Sequence, residues 1–373
     1  MKAKAKKIYL AVTNDLVTDN RVHKIATTLL KSGANLTLIG RIKEKNPPAI
    51  DRPYKTKRFK LIFKQGPCFY LEYNIRLFIF LLFKRFDIIV ANDLDTLLGS
   101  FIASKLKSKQ LVYDSHEYFT EVPELYNRNF PKKVWMFIER MILPKVKSSY
   151  TVSESIAITY NKLYNIDMKV VRNVPYFLKS DEDQKSINNE NKQILYQGSL
   201  NIGRGLEHII DAMQYIKNAK LTIIGDGDIT SQLKERIKTK ELEDKVEIKG
   251  RIPFEELMNE TKKADLGIAL EENLGLNYYY ALPNKLFDYI QASVPVLVSP
   301  FPEMQKIVNQ YDIGTVYEHK NPESLAKKIT EIFELENRYL KWKDNTSKAA
   351  KDLCWENEEK ILIELYSKLG LSF

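Results

Sequence analysis

The chain has 373 residues, 44% of them hydrophobic and 28% charged, with a formal net charge of +10 at pH 7. That length is too great for one ordinary domain and points to two, each able to bury a sizeable core. No apolar run reaches the ~18 residues that a membrane-spanning helix needs. Two cysteines, Cys68 and Cys354, make neither a disulfide framework nor a metal-ligand spacing, so a reducing, cytoplasmic setting is expected.

The charge is uneven. Residues 1–175 carry 31 Lys and Arg against 15 Asp and Glu, and residues 176–373 carry 27 against 33. A basic half joined to a mildly acidic one implies an anionic partner for the first half: nucleic acid, a membrane surface or a phosphorylated lipid.

Met1-Lys-Ala-Lys-Ala-Lys-Lys7 has the charge of a signal-peptide start, but Ile8 to Val12 is too short for the apolar region that must follow. The segment Lys7 to Thr13 reads instead as a first buried strand. Arg21 to Lys31 has Val22, Ile25, Ala26, Leu29 and Leu30 at helical spacing, and Gly33 stops it. Leu36 to Ile39, Phe86 to Val90 and Gln110 to Tyr113 read as strands, with a helix from Asp95 to Lys105 between the last two. Thr151 to Ser153 and Lys169 to Val171 close this half. Strands alternating with helices predict a parallel sheet covered on both faces.

Two basic and aromatic helices lie in this half. Leu71 to Phe83 is flanked by Arg76, Lys84 and Arg85. Lys132 to Lys145 has Val134, Phe137, Ile138, Met141 and Ile142 at helical spacing, ringed by Lys132, Lys133, Arg140 and Lys145. Each can be a helix packed on the sheet or an interfacial helix on anionic lipid; the charge asymmetry favours a peripheral membrane contact. A nucleic-acid partner is not expected, because no RRM, helix-turn-helix or zinc pattern accompanies the charge.

Residues 176–193 are polar, aperiodic and preceded by Pro175, which makes them the expected linker. The pattern then restarts. Ile194 to Gln197, Lys220 to Ile224, Val246 to Lys249, Leu266 to Leu270 and Val296 to Val298 read as strands. Leu206 to Ile216, Ile229 to Lys238, Phe254 to Lys263, Leu286 to Ala292 and Pro322 to Glu334 read as helices, and Trp355 to Leu369 is amphipathic. The expected organisation is an N-terminal domain 1–175, a linker 176–193, a C-terminal domain 194–354 and a final helix 355–373. Ligands of open parallel sheets sit at the carboxyl ends of the strands.

Two segments carry chemistry. In Tyr196-Gln-Gly-Ser-Leu-Asn-Ile-Gly-Arg-Gly-Leu-Glu207, a strand runs into a glycine-rich turn and then a helix. Gly198, Gly203 and Gly205 let backbone N–H groups approach an anion, and Arg204 adds a charge that never titrates. In Leu282-Pro-Asn-Lys-Leu-Phe-Asp288, Asn284 and Lys285 open a helix and Asp288 lies one turn in. There a carboxylate can accept bonds from vicinal hydroxyls such as those of a ribose, or it can simply favour the helix start.

In order along the chain, these two segments resemble the donor half of GT-B glycosyltransferases, together with Leu221-Thr-Ile-Ile-Gly-Asp-Gly227, Ile248-Lys-Gly-Arg-Ile-Pro253, Ala264 to Leu270 and Val294 to Val298. More narrowly, they resemble the retaining family 4 group that uses nucleotide sugars. Asp19 to Lys24, Asp114-Ser-His-Glu117 and Val171 to Pro175 extend the resemblance into the first half.

The resemblance implies an α/β, GT-B fold: two doubly wound Rossmann-like domains facing a cleft, with the C-terminal helix crossing back to the N-terminal domain. It implies that Arg204 binds the donor diphosphate, where a second cation of the family is replaced by Ser199 and Lys285 substitutes. Asp288 would hold the ribose. Arg251 and Ile252 would line the base pocket, with Gly198 and Asn284 also at the donor. The family's other carboxylate, which touches the transferred sugar, falls on Tyr280, and Glu271 and Glu272 are close enough in sequence to compensate. His116, after the strand Leu111 to Tyr113, would contact sugar and phosphate, making His116, Arg204 and Lys285 the expected catalytic set. Asn14, Asp15, Arg21 and Glu117 are the expected acceptor-binding residues. His23, His208 and His319 have no motif support.

The implied activity is transfer of a sugar from a UDP- or GDP-linked donor to a glycan or lipid-linked acceptor, for cell-surface polysaccharide or glycoconjugate synthesis. Neither a metal nor a cofactor is expected, the nucleotide sugar being a co-substrate. The expected location is cytoplasmic, at the inner face of the cytoplasmic membrane. Ser199 and Tyr280 motivate a second reading, a GT-B-like nucleotide-sugar-binding or partner protein with impaired catalysis. A dinucleotide-dependent oxidoreductase is disfavoured, because Asn14 to Asn20 after the first strand contains no glycine.

Overall fold

The computed structural model describes residues 5–17, 19–44, 49–179, 191–318 and 321–371. The chain divides into two compact units, residues 1–173 with 358–373, and residues 174–357. Of the expected linker, residues 180–190 lie outside the described residues, as does His319. Val174 to Leu178 run with the second unit: the Trp355 N–H donates to the Pro175 carbonyl at 2.8 Å, and the Phe177 N–H donates to the Glu356 carboxylate at 3.0 Å.

The first unit is built from β1 (Lys7–Ala11), α1 (Asn20–Lys31), β2 (Asn35–Arg41), β3 (Lys55–Phe59), α2 (Gly66–Leu82), β4 (Ile88–Asn92), α3 (Leu97–Leu106), β5 (Gln110–Ser115), α4 (Asn129–Ile142), β6 (Ser148–Thr151), α5 (Glu154–Tyr164) and β7 (Met168–Val170). Its seven strands are all parallel, in the order β3-β2-β1-β4-β5-β6-β7. The strands at the centre are apolar on both faces, as a sheet covered on both sides requires: all of Ile88 to Asn92 is buried. Right-handed crossovers put α1 on one face and α2, α3, α4 and α5 together on the other. Tyr73, Leu77 and Leu81 of α2 and Ala103 of α3 pack there on Ala11, Ile39 and Ile89.

The second unit contains β8 (Lys192–Gln197), α6 (Leu206–Ala212), β9 (Ala219–Ile224), α7 (Thr230–Thr239), β10 (Val246–Gly250), α8 (Phe254–Thr261), β11 (Leu266–Ala269), α9 (Leu276–Tyr279), α10 (Asn284–Gln291), β12 (Val296–Val298), α11 (Pro302–Tyr311), β13 (Gly314–Val316), α12 (Pro322–Glu334) and α13 (Glu336–Asp352). Its sheet is again parallel, in the order β10-β9-β8-β11-β12-β13. In both sheets the strand order reverses beside the first strand of the unit, between β1 and β4 and between β8 and β11. Such a switch point leaves a crevice outside the carboxyl ends of the two central strands.

The last helix, α14 (Trp355–Lys368), starts in the second unit and finishes in the first. The buried Glu358 carboxylate accepts the Arg172 N–H at 2.8 Å and pairs with its guanidinium at 2.6 Å, Thr28 donates to Glu359 at 2.8 Å, and the Lys6 ammonium donates to the Leu369 carbonyl at 2.7 Å. The expected crossing of the C-terminal helix back to the N-terminal domain is what these bonds secure. Among the described residues no helix is long and apolar enough to cross a membrane.

Candidate active site

In the second unit the polypeptide leaves β8 through Gly198 and turns back at Gly205, whose φ is +68°. A Cβ at Gly205 would stand 2.1 Å from the Leu270 carbonyl oxygen, so only glycine lets the turn lie against the end of β11. That contact sets Arg204 beside Glu271. The turn is tied down further by the Glu272 N–H, which donates to the Gly203 carbonyl at 2.9 Å.

Glu271 is fully buried, and its Oε1 gathers two cations: Lys285 Nζ at 2.9 Å and Arg204 Nη1 at 3.6 Å. Its Oε2 is buried with no hydrogen-bond partner among the described residues. Each cation also rests on an aromatic face, Lys285 Nζ 4.0 Å from the Tyr196 ring centroid and the Arg204 guanidinium 4.8 Å from that of Tyr278. Lys285 therefore does stand next to Arg204, where the missing second cation was sought, and it is nearly buried while Arg204 is partly open to solvent. Two positive charges against one carboxylate leave the cluster net positive in a place of low dielectric, which suits a polyanion.

Asp288, half-buried on α10, accepts a hydrogen bond from Gln197 Nε2 at 2.9 Å, and Gln197 Oε1 accepts from the Thr261 hydroxyl at 2.7 Å. Behind them Tyr289 laces the switch point together: its hydroxyl lies 3.2 Å from the carbonyls of Leu195 and Ile268 and accepts the Gln197 N–H at 3.2 Å. Gly198, Ser199, Arg204, Lys285 and Asp288 thus surround the carboxyl ends of β8 and β11. Asn284 is exposed at the start of α10. Arg251 and Ile252 follow β10 at the sheet edge, where Arg251, largely exposed, lies 3.9 Å from Asp226 of the β9 loop. Tyr280 ends α9 with its ring 5.7 Å from that of Tyr279. The carboxylate in contact with both cations is Glu271, which the sequence offers only as a neighbour of the expected position.

In the first unit the loops after β1, β4 and β5 converge. His116 Nδ1 lies 3.2 Å from Asp93 Oδ2 and its Nε2 lies 3.2 Å from Asp114 Oδ2, while its N–H donates to Asp93 Oδ1 at 2.7 Å. Burial alone would lower the imidazole pKa; the two carboxylates outweigh it and push it up to about 9. His116 is therefore a cation at neutral pH. Burial drives Asp93 upward, and it drives Asp95 up to about 7, where the Thr13 hydroxyl donates to its Oδ2 at 2.5 Å. Asp114 goes the other way, because Arg21 and His116 overcome the cost of its burial. Asp93 adopts φ +60° with ψ 169°, a conformation that L residues rarely hold without a reason.

Arg21 differs from its expected place at an acceptor. It is buried, donating to Asp114 at 2.8 Å and to the Val171 carbonyl at 3.1 Å, so it braces Asp114 from behind. Asn14 is exposed and receives the Arg41 N–H on its carbonyl at 3.1 Å; Asp15 accepts the Val17 N–H at 3.2 Å. Glu117 is half-buried beside His116, its carbonyl accepting the Ser115 hydroxyl at 2.7 Å. His23 meets the Tyr54 hydroxyl at 2.8 Å, away from this cluster. Asp93 and Asp95 were not expected from the sequence; their Asn92-Asp-Leu-Asp95 run directly after a buried strand is the signal that could have found them. Among the described residues no group of three or more His, Cys, Asp and Glu is placed to hold a metal ion.

Residues 179–349 match the family described as Glycosyl transferases group 1. Over 146 residues the chain is 31% identical to the probable glycosyltransferase WbjE of Pseudomonas aeruginosa, covering 36% of this chain and 35% of that protein. The chain spans about half or less of the curated relatives it matches. Two solved structures share the architecture along nearly the whole chain. Sucrose-phosphate synthase from Thermosynechococcus elongatus superposes with a TM-score of 0.78 at 16% identity, covering 98% of this chain and 99% of that one. Anabaena HepE in complex with UDP and glucose does so with a TM-score of 0.72 at 13% identity, covering 97% and 100%. At those identities the likeness is one of fold, and the fold is GT-B.

Proposed function

We propose that this GT-B protein, whose second unit carries the group 1 glycosyl transferase match, moves a sugar from a nucleoside-diphosphate sugar to a glycan or lipid-linked acceptor, with retention of configuration at the anomeric carbon. The observation that carries the reading is the convergence of Arg204 and Lys285 on buried Glu271 at the switch point of the second sheet. UDP is the favoured nucleotide, since HepE is a neighbour in complex with UDP and glucose; GDP is the alternative.

In this reading Arg204 and Lys285 hold the diphosphate, Asp288 accepts the ribose hydroxyls, and Arg251 and Ile252 border the base. Glu271 Oε2, without a partner among the described residues, accepts a hydroxyl of the transferred sugar. The bond from the anomeric carbon to the phosphate oxygen breaks and its electron pair stays on that oxygen, where the two cations stabilise the growing charge. The acceptor hydroxyl attacks the same face, and its proton passes to the departing phosphate oxygen. These steps ask for no metal and no covalent enzyme intermediate. The strongly basic first unit takes the acceptor, with Asp93, Glu117, Asn14 and Asp15 as its hydroxyl-binding groups and His116 as a fixed cation. A lipid-linked acceptor for cell-surface glycan synthesis, met at the inner face of the cytoplasmic membrane, suits that charge.

The test is nucleoside-diphosphate release from a panel of UDP- and GDP-linked sugars, followed by the anomeric configuration of the product. Release by the native chain far above that of Arg204→Ala, with an α product from an α-linked donor, supports the reading. Equal release by both proteins rejects the phosphate role, and an inverted product rejects retention. The second reading, a nucleotide-sugar-binding protein with impaired catalysis, rests on Ser199 and Tyr280, which stand where the resemblance expects a cation and a carboxylate. Donor binding without release on any acceptor would support it.

A further inference from the structure

We infer that Gln197 is a positioning residue of the donor site: anchored by Thr261, its side-chain amide holds the Asp288 carboxylate ready for the vicinal hydroxyls of a nucleotide ribose. The inference rests on the donor site proposed for the second unit, and it adds to that site a residue that does not itself touch the ligand.

Gln197 is the last residue of β8, at the switch point. It is 2% exposed, and Thr261 at the end of α8 is fully buried. Gln197 Nε2 donates to Asp288 Oδ2 at 2.9 Å, and Gln197 Oε1 accepts the Thr261 hydroxyl at 2.7 Å. An ionised carboxylate can only accept, so the amide must turn its NH₂ group towards Asp288. Its oxygen then needs a donor on the opposite side, and Thr261 is that donor. The Thr261 hydroxyl is itself tied to its own helix, 2.8 Å from the Leu257 carbonyl. The strand end is fixed as well: the Gln197 N–H donates to the Tyr289 hydroxyl at 3.2 Å, and the Gly198 N–H donates to the Ile224 carbonyl at 2.9 Å. With its backbone and the far end of its amide both held, Gln197 sets the carboxylate's orientation.

The residue type fits this role. A buried primary amide is costly unless both of its ends are bonded, and an apolar side chain would fill the strand end without that cost. A carboxylate has about four acceptor sites, so one bond from Gln197 orients Asp288 without exhausting it. A lysine or arginine in this place would draw off the charge that the ribose hydroxyls are to use. A neutral amide directs the carboxylate and leaves its charge intact.

The experiment reads ribose recognition separately from phosphate binding. Calorimetry on the full chain compares UDP with 2′,3′-dideoxy-UDP, which lacks both hydroxyls, with GDP and its dideoxy form run in parallel. The native chain is expected to bind one ribonucleotide about thirty-fold more tightly than its dideoxy form, as hydrogen bonds to a charged group allow. Gln197→Met keeps the length and removes both amide bonds; it should lower that ratio to about three-fold while dideoxynucleotide affinity holds. Thr261→Val conserves shape and touches neither Asp288 nor the ligand, so it serves even if Gln197→Met does not fold. It should lower the ratio about three-fold at an unchanged melting temperature. Native-like discrimination by Thr261→Val, or by a folded Gln197→Met, overturns the inference and leaves the donor site standing. An equal loss of affinity for both forms also overturns it, because Gln197 would then be scaffold only. No discrimination by the native chain overturns the ribose role of Asp288 and the inference with it.

Discussion

The Glu271 carboxylate meets Lys285 and Arg204 through one oxygen, and its other oxygen has no hydrogen-bond partner among the described residues. A buried acceptor atom without a bond is costly, so its retention beside a phosphate-friendly turn is best explained by a ligand that completes it. Glu271→Gln keeps the volume and removes the charge. It is expected to lower kcat/KM for the intact nucleotide sugar by about 10²-fold, a loss of the size seen when one positioned electrostatic group is removed. Affinity for UDP, which lacks the sugar, should change by no more than about three-fold, or roughly 0.7 kcal/mol. Steady-state kinetics beside calorimetry separates the two; a large loss of UDP affinity would make Glu271 a scaffold for the cations instead.

His116 is held charged by carboxylates on both ring nitrogens. Asp93→Asn removes one of them while conserving shape, so the imidazole pKa should fall from about 9 toward the ordinary value near 6.5. An NMR titration of the ring protons reads this directly. An unmoved His116 would mean that Asp114 and Arg21 alone fix its charge.

Glu139 carries the clearest pH dependence of stability. Burial raises its pKa to about 7, against hydrogen bonds from Tyr164 and Tyr160 that lower it. A raised folded pKa gives stability that is complete below the ordinary carboxyl value near 4.3 and is lost as pH rises through about 7. Glu139→Gln cannot ionise, so it should melt higher than the native chain at pH 8, by up to about 3 kcal/mol, and nearly level with it at pH 4. Thermal unfolding at the two pH values checks the crossover; a variant less stable at both would show that the ionised carboxylate is the stabilising form.

The two parallel sheets were legible because their central strands are continuous apolar runs, as Ile88 to Asn92 and Leu266 to Ala269 show. Strand β3, Lys-Thr-Lys-Arg-Phe, was missed for the opposite reason: an edge strand faces solvent and carries lysines that deter further pairing, so it has no apolar signature. Helix α13 was missed because its apolar residues are sparse, with Tyr339, Trp342, Ala349 and Ala350 the only large or small ones buried on an otherwise polar helix. Helix α2 reaches back to Gly66 because Pro67 favours a first helical turn. In the site, motif spacing named Arg204, Lys285 and Asp288, and set the position of the family's other carboxylate at Tyr280, with Glu271 only as a near neighbour. Spacing counts residues along the chain, whereas Glu271 is delivered by the end of β11 against Gly205, a contact that only the fold creates. Arg21 shows the same limit: its charge marks an anion, and the anion is the protein's own Asp114.

In the proposed function the second unit binds a nucleoside diphosphate through Arg204. Isothermal titration of UDP and of GDP into the native chain and into Arg204→Ala measures it without any assumption about sugar or acceptor. One nucleotide should bind the native protein, and the variant should lose at least about ten-fold in affinity, roughly 1.4 kcal/mol, as expected for a charge-assisted contact to phosphate. Equal affinities in the two proteins, or no binding of either nucleotide by the native chain, would contradict the account.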